Sequence, residues 1–139
     1  MTKPTKKILI VDDDAGVREA IRLSLSNQDY LKIDITECAD VDSAIKQMKS
    51  IKFDIVILDL FFPDKTGKAG KTGFDFMDII HKTKRFAKTE IIMLTAYDTL
   101  SNFFTAESKG IGAYHFLSKP FNISELQALV LSLSLPISK

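Results

Sequence analysis

The sequence predicts an α/β domain in which a parallel sheet is covered by helices on both faces. Three observations carry this. Short apolar runs alternate with segments of helical period five times along 139 residues, the order that builds successive βαβ units. Ile8–Val11, Ile55–Leu58 and Ile91–Leu94 are apolar throughout, as strands buried on both faces should be. Each of these runs breaks off at a polar residue: Asp12, Asp59 and Thr95.

The elements follow in order. Ile8–Val11 is too short and too β-branched for a helix and reads as a buried strand. After Asp12-Asp13-Asp14, residues Val17, Ala20, Ile21, Ser24 and Leu25 fall on one helical face, with Asp14 as N-cap. Ile33-Asp34-Ile35-Thr36-Glu37-Cys38 alternates apolar and polar, which predicts an edge strand with one wet face. Asp40 caps a second helix whose inner face is Val41, Ala44, Ile45 and Met48. The run Phe53-Asp54-Ile55-Val56-Ile57-Leu58-Asp59 is the central strand, and Asp59 sits where it leaves the core. A charge there is costly unless something pairs with it.

Leu60 to Thr72 reads as a loop, with Pro63, Gly67 and Gly70. Gly73 opens a helix to about Arg85, with Phe76, Ile79, Ile80 and Thr83 at helical spacing. A further helix is expected over 99–109 and a short strand over Tyr114–Leu117. Asn122-Ile123-Ser124-Glu125 has the form of a capping box. It opens a last helix with Ile123, Leu126, Leu129, Val130 and Leu133 as its apolar residues.

Length and composition fit one domain with a real core. Net charge is +1, from 19 basic and 18 acidic side chains, so no phosphate-neutralising excess points to direct nucleic-acid binding. Cys38 is the single cysteine, which excludes an intrachain disulfide framework. No segment approaches the roughly 20 apolar residues that span a bilayer. Asp12 cuts the first apolar run off too early for a signal peptide. A cytoplasmic protein without membrane insertion is expected.

Ligands of open parallel sheets bind beyond the carboxyl ends of the strands. On that edge the sequence places Asp12 and Asp13, Asp59, Thr95 and, after the last strand, Lys119. Three carboxylates brought together repel, and they either hold protons or bind a cation. Hard oxygen ligands without His or Cys suit Mg2+, which keeps several waters and takes further oxygens from substrate phosphate. With the Lys119 ammonium and the Thr95 hydroxyl, the set forms a receptor for a phosphoryl group. A carboxylate facing the cation and the lysine can also act as nucleophile.

Motifs in the right order along the chain, four of them at strand ends, resemble the receiver domain of two-component response regulators. They are Ile8-Leu9-Ile10-Val11-Asp12-Asp13-Asp14, Ile57-Leu58-Asp59-Leu60, Pro63, Leu94-Thr95-Ala96 and Phe116-Leu117-Ser118-Lys119-Pro120-Phe121. The resemblance runs from about Lys6 to Leu133. It implies a flavodoxin-like, doubly wound five-stranded sheet in strand order 2-1-3-4-5, in three layers α/β/α. It implies a bacterial phosphoprotein in which Asp59 is the phosphoacceptor. Asp12, Asp13, Asp59 and the backbone carbonyl of Phe61 would hold Mg2+, with Asp12 acting mainly through metal-bound water. Lys119 would pair with the phosphoryl oxygens. Thr95 would swing towards the phosphoryl group, and Phe116 would be the aromatic switch behind it.

The implied partner is a sensor histidine kinase or phosphotransfer protein. Output would pass to a downstream protein or a homodimer through the face built by the fourth predicted helix, the fifth strand and the last helix. The chain would not be an enzyme by function, beyond Mg2+-assisted phosphorylation and dephosphorylation of itself. One receiver domain is expected over 1–139, with its core over about 6–133 and 134–139 as a tail or the start of a linker.

The loop Asp64-Lys65-Thr66-Gly67-Lys68-Ala69-Gly70-Lys71-Thr72-Gly73 is longer than the pattern requires, and its basic residues would overhang the acidic site. Gly70-Lys71-Thr72 imitates the end of a P-loop, but Lys65 stands where the first glycine belongs. Phe61 and Tyr97, each two positions beyond a motif residue, would border the path of hydrolytic water and tune dephosphorylation. His81 and His115 lack paired ligand spacing, and Cys38 reads as a small buried hydrophobe.

Two other readings use the same residues. A haloacid-dehalogenase-like phosphatase would take Asp12 as nucleophile and Asp14 as acid/base. It needs an acidic motif after the lysine, and beyond Lys119 the only acid is Glu125. A degenerate receiver would serve as a docking module, against which the complete acid, Thr and Lys set argues.

Overall fold

Five parallel strands pair in the order β2-β1-β3-β4-β5. They are β1 (Thr5–Val11), β2 (Lys32–Cys38), β3 (Ile55–Asp59), β4 (Glu90–Thr95) and β5 (His115–Ser118). The helices are α1 (Ala15–Ser26), α2 (Val41–Ser50), α3 (Gly73–Lys82) and a last helix, Ile123–Ser134, with a 3-10 turn at Lys84–Phe86. This computed structural model describes residues 5–26, 29, 31–59, 73–86, 88–95, 115–118 and 121–134. The expected loop over 60–72 and the expected helix over 99–109 lie outside them.

The continuous apolar runs follow from burial on two faces. Successive side chains of a strand point to opposite sides. Leu9, Val11, Val56, Leu58, Ile91 and Met93 therefore pack on one side with Val41, Ala44 and Met48 of α2 and Phe76, Met77 and Ile80 of α3. Ile8, Ile10, Ile55, Ile57, Ile92, Leu94 and Leu117 pack on the other with Ile21 and Leu25 of α1 and Leu126 and Val130 of the last helix. β2, at one edge of the sheet, keeps the alternation of a half-wet strand, with Ile33 and Ile35 partly buried. No helix among the described residues is long and apolar enough to cross a membrane.

Side-chain oxygens fix the helix starts. Asp14 Oδ1 accepts from the N–H of Gly16 at 2.8 Å and of Val17 at 3.3 Å. Asp40 Oδ1 accepts from Ser43 N–H at 2.7 Å, and Asn122 Oδ1 from Ser124 N–H at 2.8 Å. Each satisfies a donor that the first helical turn leaves open. Ser24, on the inner face of α1, donates its hydroxyl to the Ala20 carbonyl at 2.6 Å, so it enters the apolar layer without an unmet polar group. Gln127 Nε2 donates to the Ser24 carbonyl at 2.6 Å and ties the last helix to α1.

Three details differ from the sequence expectation. α3 ends at Lys82 rather than near Arg85. There the Thr83 hydroxyl bonds back to the Ile79 carbonyl, and the Thr83 N–H reaches Ile80, one residue short of α-helical spacing. The chain tightens into a 3-10 turn that delivers Phe86 to the core. Ala20 is exposed although it shares the spacing of the α1 inner face. Ile123 is 52% exposed: it stands at the first position of its helix, before the helix descends onto the sheet.

Candidate functional site

β1 and β3 are neighbours, with Val11 opposite Leu58. The next residue of each chain is a carboxylate, so Asp12 and Asp59 leave the sheet side by side. Asp13 follows on the same edge. Carboxylate oxygens of Asp12, Asp13 and Asp59 all lie within 4.8 Å of one another. Asp12 is 1% exposed and Asp59 5%, whereas Asp13 is half-buried. Burial concentrates the field of these groups and makes a compensating cation more valuable than it would be in water.

The backbone around Asp12 is held on several sides. Its N–H donates to the Cys38 carbonyl of β2 at 3.1 Å. Its Oδ1 accepts from Asp14 N–H at 2.9 Å, forming a tight turn into α1. Its carbonyl accepts from Arg18 Nη1. Arg18 Nε in turn donates to Glu37 Oε1 at 3.3 Å, and Arg22 Nε lies 3.4 Å from Glu37 Oε2. Next to Asp12, Cys38 is buried, and burial pushes its thiol pKa upward; Asp40 adds to the shift and Arg18 opposes it.

The structure thus brings together Asp12, Asp13 and Asp59. Thr95 ends β4, one register step beyond the Leu94 that faces Asp59, which puts its backbone on the same edge. Phe116 lies in β5 opposite Met93; the side chains of Thr95 and Phe116 are outside the described set. Lys119, Phe61 and Tyr97 lie outside the described residues altogether. His115, which lacks paired ligand spacing in the sequence, is partly exposed with Nε2 3.4 Å from Glu90 Oε2, at the end of the sheet away from the carboxylates. Sequence reasoning missed Arg18 and Glu37. The available signal was a cation in the opening turns of a helix, where the dipole disfavours it.

The donor set fits a hard divalent ion: the cluster offers carboxylate oxygens only, with no thiol or imidazole among the three. Fold and edge chemistry define the class, a doubly wound α/β protein of the flavodoxin-like type with an acidic site at the carboxyl ends of its strands. Comparison with known proteins gives the family. The family model described as response regulator receiver domain matches residues 8–131, and the chain belongs to that family. It is 30% identical over 125 residues to the response regulator protein PilR of Pseudomonas aeruginosa, covering 90% of this chain and 25% of that protein. It is 31% identical over 120 residues to the transcriptional regulatory protein ResD of Bacillus subtilis, covering 86% of this chain and 44% of that protein. Among solved structures it is similar to the chemotaxis protein CheY4 of Vibrio cholerae, with a TM-score of 0.75 at 27% identity, covering 93% of this chain and 98% of that one. The chain spans between a quarter and about half of the curated relatives it matches.

Proposed function

We propose that this receiver domain, spanning residues 1–139, accepts a phosphoryl group on Asp59 from a sensor histidine kinase or phosphotransfer protein. The observation that carries the reading is the convergence of Asp12, Asp13 and Asp59, with Asp59 buried at the end of the central strand. A carboxylate oxygen of Asp59 attacks phosphorus. The phosphorus–nitrogen bond of the donor phosphohistidine breaks, and its electron pair returns to the imidazole. The product on this chain is an acyl phosphate.

Asp12, Asp13 and Asp59 would hold Mg2+, joined by the Phe61 carbonyl. When bound, the ion neutralises charge on the carboxylates and on the incoming phosphoryl oxygens. The fixed backbone of Asp12 keeps its carboxylate aimed at the site without reorganisation when the donor arrives. Lys119 would pair with the phosphoryl oxygens, and Thr95 and Phe116 would convert the added charge into a change of surface. That surface would engage a downstream protein or a second copy of the chain. Nucleic-acid contact is not part of the reading, nor is turnover of an external substrate. A cytoplasmic location belongs to the same reading, as does a tail or linker role for residues 134–139. Family membership removes the ground for the phosphatase alternative. The docking-module alternative is separated by the experiment.

Intact mass after incubation with Mg2+ and a small acyl-phosphate donor tests it. The wild type gains one phosphoryl group and Asp59→Ala gains none. Lack of modification in the wild type, with a folded chain and active donor, would favour a docking module. Modification that persists in Asp59→Ala would move the acceptor elsewhere.

A further inference from the structure

We propose that Arg18 is a positioning residue for the Asp12–Asp13 pair, and that through it the edge strand β2 sets the affinity of the site for a divalent cation. This rests on the cation-binding reading above and adds a residue that does not itself touch the ion. Arg18 stands in the opening turns of α1, where the helix dipole disfavours a cation. Its side chain is nevertheless only 17% exposed. Two contacts hold it there, one to a peptide carbonyl and one to the Glu37 carboxylate.

That peptide joins Asp12 to Asp13. It is planar, so the direction of its carbonyl fixes the direction in which Asp13 leaves. Arg18 Nη1 donates to that carbonyl, while Arg18 Nε is held by Glu37 of β2 at 3.3 Å. Glu37 is in register with Ile10, two residues before Asp12. β2 therefore grips Asp12 twice: directly, through the Cys38 carbonyl on its N–H at 3.1 Å, and indirectly, through Glu37 and Arg18 on its carbonyl. Release of the second grip frees the peptide to rotate and Asp13 to swing away from Asp12 and Asp59. Glu37 is shared between Arg18 and Arg22, so its carboxylate offsets only part of the guanidinium charge, and the salt comparison below separates orientation of the ligands from repulsion of the ion.

Outer partners that orient metal ligands typically contribute about ten- to hundred-fold in affinity. The test is calorimetric Mg2+ titration of the full chain, for the wild type, Arg18→Gln, Arg18→Lys and Glu37→Gln, at low and at high salt. Arg18→Gln is expected to bind Mg2+ about ten-fold more weakly, by the same factor at both salts. Arg18→Lys falls between, since one ammonium cannot reproduce the fork that serves two partners. In acyl-phosphate assays the Mg2+ midpoint of Arg18→Gln shifts by the same factor, while the rate at saturating Mg2+ stays close to wild type.

A merely structural role would lower thermal stability and leave the Mg2+ midpoint in place. Affinities within about two-fold of wild type in Arg18→Gln overturn the proposal. So does tighter binding that vanishes at high salt, because Arg18 would then be a repelling charge. Should Arg18→Gln fail to fold, Glu37→Gln carries the same expectation and the same overturning results. A wild type that takes up no Mg2+ overturns the site reading together with this one; a wild type that binds beside unaffected variants overturns this one alone.

Discussion

Asp12 and Asp59 stand one residue beyond the paired Val11 and Leu58, so adjacent parallel strands deliver two buried carboxylates to the same point. Their proximity, with Asp13, is set by the register of the sheet and not by a flexible loop. Folding therefore brings like charges together, and a cation held by the three carboxylates would lower the cost of that crowding.

The first prediction follows from that cost. Mg2+ should stabilise the wild type, by about 2.7 kcal/mol at ~100-fold excess over its dissociation constant. Asp13→Asn, which removes the half-buried charge and leaves the Asp12 turn in place, should be more stable than wild type without Mg2+, by on the order of 1 kcal/mol. It should also lose most of the Mg2+ effect. Urea unfolding with and without Mg2+ measures both. Equal stabilisation of the two proteins would mean that the ion binds elsewhere.

The second concerns the layer beneath the site. Phe76 of α3 is fully buried against β-strand residues that lead to the carboxylates. Phe76→Ala should cost about 3–5 kcal/mol, the transfer loss plus a cavity. Leu23→Ala, at a position 58% exposed, should cost under about 0.5 kcal/mol. Denaturant midpoints at unchanged slope check the contrast. A cost at Phe76 no larger than at Leu23 would show that the layer repacks freely.

The third uses Cys38. Burial, with a smaller contribution from Asp40, raises its thiol pKa above the ordinary 9.0. The folded thiol thus keeps its proton at a pH where the unfolded thiol has lost it. Its contribution to stability is complete below the unfolded pKa and declines as pH rises through the window up to the folded value. Wild-type unfolding free energy should fall with pH above about 9 more steeply than that of Cys38→Ala. Parallel pH profiles of the two proteins would contradict the burial argument. Slow reaction with a thiol reagent in the folded state, and fast reaction in urea, is the companion observation.

Much of this molecule is legible in its sequence because two periodicities and one rule of sheets suffice. Fully apolar runs mark β1, β3 and β4, alternation marks β2, and the carboxyl-end rule gathers Asp12, Asp13 and Asp59. Helix starts are equally plain, since Asp14, Asp40 and Asn122 act within a few residues of themselves. What escapes is set by contacts distant in sequence or by competition within one turn. Arg18 finds Glu37 only because β2 lies beside β1. The end of α3 depends on whether Thr83 extends the helix or bonds back to Ile79. Ile123 belongs to an apolar pattern but sits too early in its helix to reach the core.

The fourth prediction concerns how long the phosphoryl group stays. Phe61 and Tyr97 follow Asp59 and Thr95 by two positions each in the sequence. Hydrolysis of an acyl phosphate needs a water in line with the bond that breaks, and bulky aromatic groups at these positions would exclude it. Replacing both, Phe61→Ser with Tyr97→Asn, should shorten the lifetime of the phosphorylated state on the order of ten-fold, equivalent to about 1.4 kcal/mol in the barrier. Intact mass followed over time after removal of the donor reads the lifetime directly. The rate of phosphorylation at saturating donor should change far less, because the acceptor carboxylate and the three-acid cluster are untouched. An unchanged lifetime in the double variant would place control of hydrolysis in other residues, whereas equal changes in both rates would mean that the substitutions disturb Asp59 itself.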